Sequence, residues 1–148
     1  MIVQTASAEE TRAVGAAIAS CLGRGDVVVL AGDLGSGKTT IAQGIAGALG
    51  VTEPVVSPTF AIVREYDGDI PVAHVDVYRL DHMQELHDLG FEEIVDGSRV
   101  VLVEWGEKLP PFLRRGATTI RFHDVGEGSR RIEILAEPTM PSKPRGDA

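Results

Sequence analysis

The stretch Asp26-Val-Val-Val-Leu-Ala-Gly-Asp-Leu-Gly-Ser-Gly-Lys-Thr39 decides how the rest of the chain is read. Asp26 to Ala31 is a short, nearly uninterrupted run rich in β-branched residues, the pattern of a strand buried on both faces of a parallel sheet. Gly32-x-x-x-x-Gly37-Lys38-Thr39 follows at once and fits the phosphate-loop pattern of a glycine-rich turn closed by lysine and a hydroxyl residue. From Lys38 onward Ile41, Ile45 and Leu49 recur four residues apart and Gly50 follows, which predicts a helix with one apolar stripe and a glycine stop. Strand, glycine loop and helix in that order are the context the chemistry requires. A glycine turn that matches by chance is the bland alternative, and both flanking elements argue against it.

Outward from this unit, Ser7-Ala-Glu-Glu10 has capping-box spacing, and Val14, Ile18 and Cys21 then recur at helical intervals, so a helix is expected over about 8–22. Thr59 to Tyr66 and Pro71 to Tyr78 read as two strands joined by a hairpin turn at Asp67-Gly-Asp69. Gln84 to Leu89 reads as a short helix closed by Gly90. Arg99 to Val103 is a second buried-strand run. Thr118 to Phe122 and Arg131 to Leu135 form a closing strand pair around Gly126-Glu-Gly128. The fold class is therefore α/β: a mixed sheet of the P-loop NTPase kind, flanked by helices, with a β-hairpin after the P-loop helix.

The 148 residues, 43% of them hydrophobic, suffice for one core, and one domain is expected over 1–136. Residues 137–148 carry three prolines, a glycine and no apolar periodicity, which predicts a disordered tail. The formal charge of −8 opposes long-range attraction to phosphate polymers, so if RNA is involved other chains are expected to hold it. The one cysteine, Cys21, excludes an internal disulfide and reads as a buried thiol on a helix face. The N-terminus lacks a secretory pattern, and no apolar run approaches the about 20 residues that span a bilayer. A cytoplasmic protein with no membrane association is the expectation.

In the loop, glycines let the chain curl so that the N–H groups of Gly35, Ser36 and Gly37 surround a phosphate without a β-carbon in the way. The helix N-terminus adds partial positive charge. Lys38 is assigned to the β- and γ-phosphates, the Thr39 hydroxyl to Mg²⁺, and Thr40 to a hydroxyl or amide contact at the α-phosphate. Such a site needs a carboxylate at the end of a second apolar strand. Val100-Val-Leu-Val-Glu104 is the cleaner pattern, which makes Glu104 the metal residue, and Asp76 is then the candidate for orienting the attacking water or for an outer Mg²⁺ contact. His74 lies one strand period before Asp76 and shares its face, as a packed histidine or as a catalyst. Trp105 either covers the nucleotide, meets a partner or belongs to the core. Ser57-Pro-Thr-Phe60 is either a nucleotide-sensing loop or an ordinary strand-entry turn.

Taken in order, Gly32 to Thr40, Ser57 to Phe60, His74-Val-Asp-Val-Tyr-Arg-Leu80, Leu89-Gly-Phe-Glu-Glu93 and Val103-Glu-Trp-Gly-Glu107 resemble the motif series of the TsaE (YjeE) family. These are bacterial ATPases required for the threonylcarbamoyladenosine modification of tRNA next to the anticodon. The resemblance covers about residues 5–136. It implies an ATPase, weak alone, that binds ATP and Mg²⁺ and works with the TsaB–TsaD heterodimer to drive or reset the catalytic cycle, touching tRNA indirectly if at all. It implies that Lys38 and Thr39 hold phosphate and Mg²⁺, that Glu104 completes the metal site, and that Asp76 and Trp105 support hydrolysis. It points to Ser7 and Arg130 for the adenine. Ser36 stands where the family often has alanine, a change expected to be neutral because the loop uses its backbone there.

A small-molecule kinase on the same loop is the rival reading. Such kinases usually need a lid whose arginines clamp the transferred phosphate. Here Arg114-Arg115 and Arg130-Arg131 are the only such pairs, and no lid-sized insertion is visible.

Overall fold

A computed structural model describes residues 1–32, 37–57, 63–78, 82–105, 109, 114, 116–126 and 129–136. Among them the chain runs β1 (Ile2–Thr5), α1 (Ala8–Ala19), β2 (Val27–Ala31), α2 (Lys38–Ala48), β3 (Val63–Tyr66), β4 (Val72–Asp76), α3 (Met83–Asp88), α4 (Phe91–Ile94), β5 (Val100–Glu104), β6 (Thr118–Asp124) and β7 (Arg130–Ala136). The strands form one sheet in the order β1-β7-β6-β2-β5-β4-β3. The central strands β6, β2, β5 and β4 are parallel. Antiparallel strands complete both sides, β3 beyond β4 and the β7 and β1 pair beyond β6. This is the expected mixed α/β sheet with its hairpin and closing pair.

Side chains alternate across the sheet and fill two layers. Val28 and Leu30 of β2, Val100 and Leu102 of β5, Val72 of β4 and Ile120 of β6 pack under α1 and α2, against Ile41, Ala42, Ile45 and Ala46. Ala73, Val75, Val101 and Val103 point the other way, toward Leu86 of α3 and Phe91 and Ile94 of α4. Ile41 and Ile45 are fully buried, and each removes enough apolar surface from water to contribute about 2 kcal/mol. The two covering helices meet backbone to backbone. A Cβ on Gly44 would lie 2.1 Å from the Arg12 carbonyl oxygen, and one on Gly15 would lie 2.6 Å from that of Ile41.

Several expectations are corrected. The first helix stops at Ala19, not residue 22, because the chain tightens into i to i−3 bonds from Cys21 to Ile18 and from Leu22 to Ala19. The tightening turns Leu22 toward the core and leaves Cys21 exposed, not buried. Strands β1 and helix α4 have no counterpart in the reading of the sequence. β3 and β4 pair with Tyr66 opposite Val72, so their connection comprises 67–71 instead of a tight turn. That connection is docked on the end of α2, where the Ile70 N–H donates to the Leu49 carbonyl. Gly90 both follows α3 and starts α4, at φ 73°. The expected strand portion 59–62 and the expected tail 137–148 lie outside the described residues.

Candidate active site

The three parallel strands β2, β5 and β4 end on one edge of the sheet, and the chemistry-bearing residues gather there. Glu104 closes β5 directly opposite Leu30 of β2 on one side and Asp76 of β4 on the other. Sheet register thus sets two carboxylates side by side, on the face that α2 covers. Both are buried, Asp76 at 7% and Glu104 at 4% exposure, where an ionised carboxylate is costly unless cations offset it. Burial pushes the Asp76 carboxyl up from its ordinary value; the N–H of Tyr78, donating to Oδ1 at 2.9 Å, opposes this, and Glu104 adds to it. Lys38 and His74 bring positive or donor character to the same spot.

Lys38 begins α2, and its side chain is drawn into the site rather than into water. Nζ donates to the Gly32 carbonyl at 2.6 Å and lies 3.5 Å from the centroid of the Trp105 ring. Gly37, the N-cap of α2, sits at φ 108°, a conformation that disfavours any residue with a β-carbon. Among the described residues no side chain caps this helix, and no acid occupies its first turn. The first-turn amides of this 11-residue helix therefore have no side-chain cap among the described residues, the arrangement that binds anions. Thr39 and Thr40 occupy that first turn, while the expected phosphate contacts Gly35 and Ser36 lie outside the described residues.

Trp105 follows Glu104 at φ 62°, the one positive-φ position taken by a residue other than glycine among the described residues. A left-handed bulky residue costs roughly 1–2 kcal/mol and persists where its surroundings over-determine it. Here its N–H donates to the Leu30 carbonyl, and its ring leans on Tyr78 with centroids 4.8 Å apart. Tyr78 was not singled out from the sequence. Its signal is only its place two residues beyond Asp76 at the same strand end.

His74 is fully buried, and its Nε2 lies 2.6 Å from Oε2 of Glu104. The contact is close but poorly aligned, and neither atom, nor Nδ1 of the ring, makes a well-directed hydrogen bond among the described residues. The two other expected nucleotide contacts also come to this end of the sheet. Thr5 of β1 pairs with Arg130 of β7, which brings the residues on either side of that rung together. Arg130 reaches toward the start of α2, with Nε 3.9 Å from where a β-carbon on Gly37 would lie. Ser7 caps α1, its hydroxyl accepting from the Glu10 N–H at 3.1 Å. Ser57 is described, but the remainder of the expected switch segment, 58–60, is outside the described residues.

The family model for "Threonylcarbamoyl adenosine biosynthesis protein TsaE" matches residues 5–132. The chain belongs to the TsaE family. A protein of Bacillus subtilis named tRNA threonylcarbamoyladenosine biosynthesis protein TsaE is 42% identical over 134 residues, covering 90% of this chain and 84% of the relative. A protein of the same name from Treponema pallidum is 38% identical over 128 residues, 86% of this chain and 95% of its own length. The crystal structure of YdiB from Bacillus subtilis superposes with a TM-score of 0.77 at 37% identity, over 93% of this chain and 86% of the other. The architecture is the P-loop NTPase fold of that TsaE relative. Among the described residues no helix is long and apolar enough to cross a membrane.

The side chains present fit Mg²⁺. Among the described residues no three His, Cys, Asp or Glu side chains converge as a metal cage. Mg²⁺ does not require one, since it is commonly held by one or two protein oxygens together with substrate phosphates and water. Glu104 offers a buried carboxylate at the end of β5, and Thr39 offers a hydroxyl in the first turn of α2.

Proposed function

We propose that this chain is the ATP-hydrolysing subunit of tRNA threonylcarbamoyladenosine biosynthesis, acting with TsaB and TsaD on the adenosine next to the anticodon. The observation that carries the ATPase reading is the gathering of Lys38, Asp76 and Glu104 at the ends of β2, β4 and β5 beside the uncapped start of α2. Family membership supports the pathway. The α2 amides and Lys38 bind the phosphates, with Lys38 on the β- and γ-groups. Thr39 and Glu104 hold Mg²⁺, which when bound neutralises charge on the transferred phosphoryl group. Asp76, whose burial raises its affinity for a proton, orients the attacking water by accepting its hydrogen. Trp105 covers the Lys38 end of the site, and Ser7 and Arg130 flank the base.

Hydrolysis alters the contacts at the phosphate loop, and that difference resets the TsaB–TsaD pair between rounds. With a formal charge of −8 the chain leaves tRNA binding to its partners. The cytoplasm, where tRNA is modified, is where this reading puts it. The test is steady-state ATP hydrolysis with and without TsaB–TsaD, using the wild type, Lys38→Ala and Glu104→Ala. Low turnover alone and stimulation confined to the wild type are expected. Undiminished turnover by Lys38→Ala would overturn the assignment.

A further inference from the structure

His74 stands out as a polar side chain in an apolar layer. It shares the α2 face of the sheet with Val72 on its own strand and sits opposite Leu102 of β5, and all three are essentially inaccessible to water. Burying an imidazole there costs free energy unless its nitrogens find partners, and a leucine would fill the space without that cost. Nδ1 has no hydrogen-bond partner among the described residues, so packing and local hydrogen bonding do not account for the ring. What the ring does touch is Glu104, through Nε2 at 2.6 Å from the inward oxygen Oε2. The same strand period puts Asp76 two residues further along on the same face, so His74 lies behind both acids rather than between them and the nucleotide.

We propose that His74 is a positioning residue for Glu104: Nε2–H engages Oε2, fixes the carboxylate's rotamer, and leaves Oε1 as the oxygen offered to Mg²⁺. The inference rests on the proposed Mg·ATP site. Metal-binding carboxylates are commonly held from behind in this way, and removal of such a partner typically weakens metal binding or activity by about 10- to 100-fold.

The test is equilibrium binding of a fluorescent ATP analogue to the full chain, with Mg²⁺ and with the metal chelated, which reads Mg²⁺ binding without relying on turnover. In the wild type Mg²⁺ tightens analogue binding. His74→Leu should keep the Mg²⁺-free affinity and lose roughly 10- to 100-fold of the Mg²⁺-dependent gain. Two amide variants separate positioning from packing, because glutamine places its N–H₂ near Nε2 whereas asparagine reaches only as far as Nδ1. His74→Gln should retain most of the gain and His74→Asn should lose it, and this comparison stands even if His74→Leu does not fold. Equal gains in the Gln and Asn variants, or a full gain in folded His74→Leu, would overturn the proposal while leaving the Mg·ATP site intact. A wild type that shows no Mg²⁺-dependent binding would overturn the site reading and this inference with it.

Discussion

The ammonium of Lys38 lies 3.5 Å from the centroid of the Trp105 ring, so the cation assigned to phosphate and the chain's one tryptophan are in direct contact. At 4% exposure the lysine is largely desolvated, and a cation over an indole face is then worth about 2 kcal/mol. Phosphate competes for the same ammonium. Addition of Mg·ATP should therefore change Trp105 emission in a saturable way, and Lys38→Ala should abolish the change. Emission that stays constant while nucleotide binding is saturated by another measure would contradict this link.

Asp76 carries a stability cost that function explains. Its folded pKa is raised, chiefly by burial and further by Glu104, so the native state binds its proton more readily than the unfolded chain does. The sign follows: between the unfolded value and the raised folded value, stability falls as pH rises, and the cost persists at neutral pH. Asp76→Asn keeps an acceptor for the Tyr78 N–H and removes the charge. Urea denaturation should show the variant more stable than the wild type at pH 7, with the gain vanishing once both states of the wild type are protonated, while ATP hydrolysis is lost. A variant less stable at pH 7 than at pH 3, relative to wild type, would refute the sign.

The close crossing of α1 and α2 makes a separate prediction, remote from the site. A β-carbon at Gly44 would meet the Arg12 carbonyl oxygen at 2.1 Å, and backbone cannot move aside as a flexible side-chain end can. Gly44→Ala should destabilise the fold by about 3 kcal/mol despite alanine's better helix propensity. Gly47→Ala, on the same helix with nothing near its β-carbon, should be neutral or stabilising. Similar melting temperatures for the two variants would refute the packing.

These effects differ in how far they could be read from the sequence. The β2 strand, the phosphate loop and α2 were legible because each is written in local pattern: a β-branched run, glycines where the backbone curls, and isoleucines four residues apart. Glu104 and Asp76 were legible as strand-end acids. Their adjacency was not, since it depends on the parallel register between β4 and β5, which brings together residues 28 positions apart. The same register hid the His74 contact with Glu104. β1 escaped notice because a four-residue edge strand with only Thr5 buried shows no alternation, and α4 because four residues show no helical period. Cys21 was misplaced by carrying that period past the tightening turn after Ala19.

The central claim, that the edge formed by β2, β4 and β5 is a Mg·ATP site built on Lys38 and Glu104, is tested most directly by calorimetric titration of Mg·ATP into the full chain. One saturable site per chain is predicted. Loss of the Lys38 ammonium should weaken it by roughly 10- to 100-fold, the worth of a charged hydrogen bond to phosphate. Glu104→Gln should remove the Mg²⁺ dependence of binding while nucleotide still binds. Undiminished Mg·ATP affinity in Lys38→Ala would contradict the account.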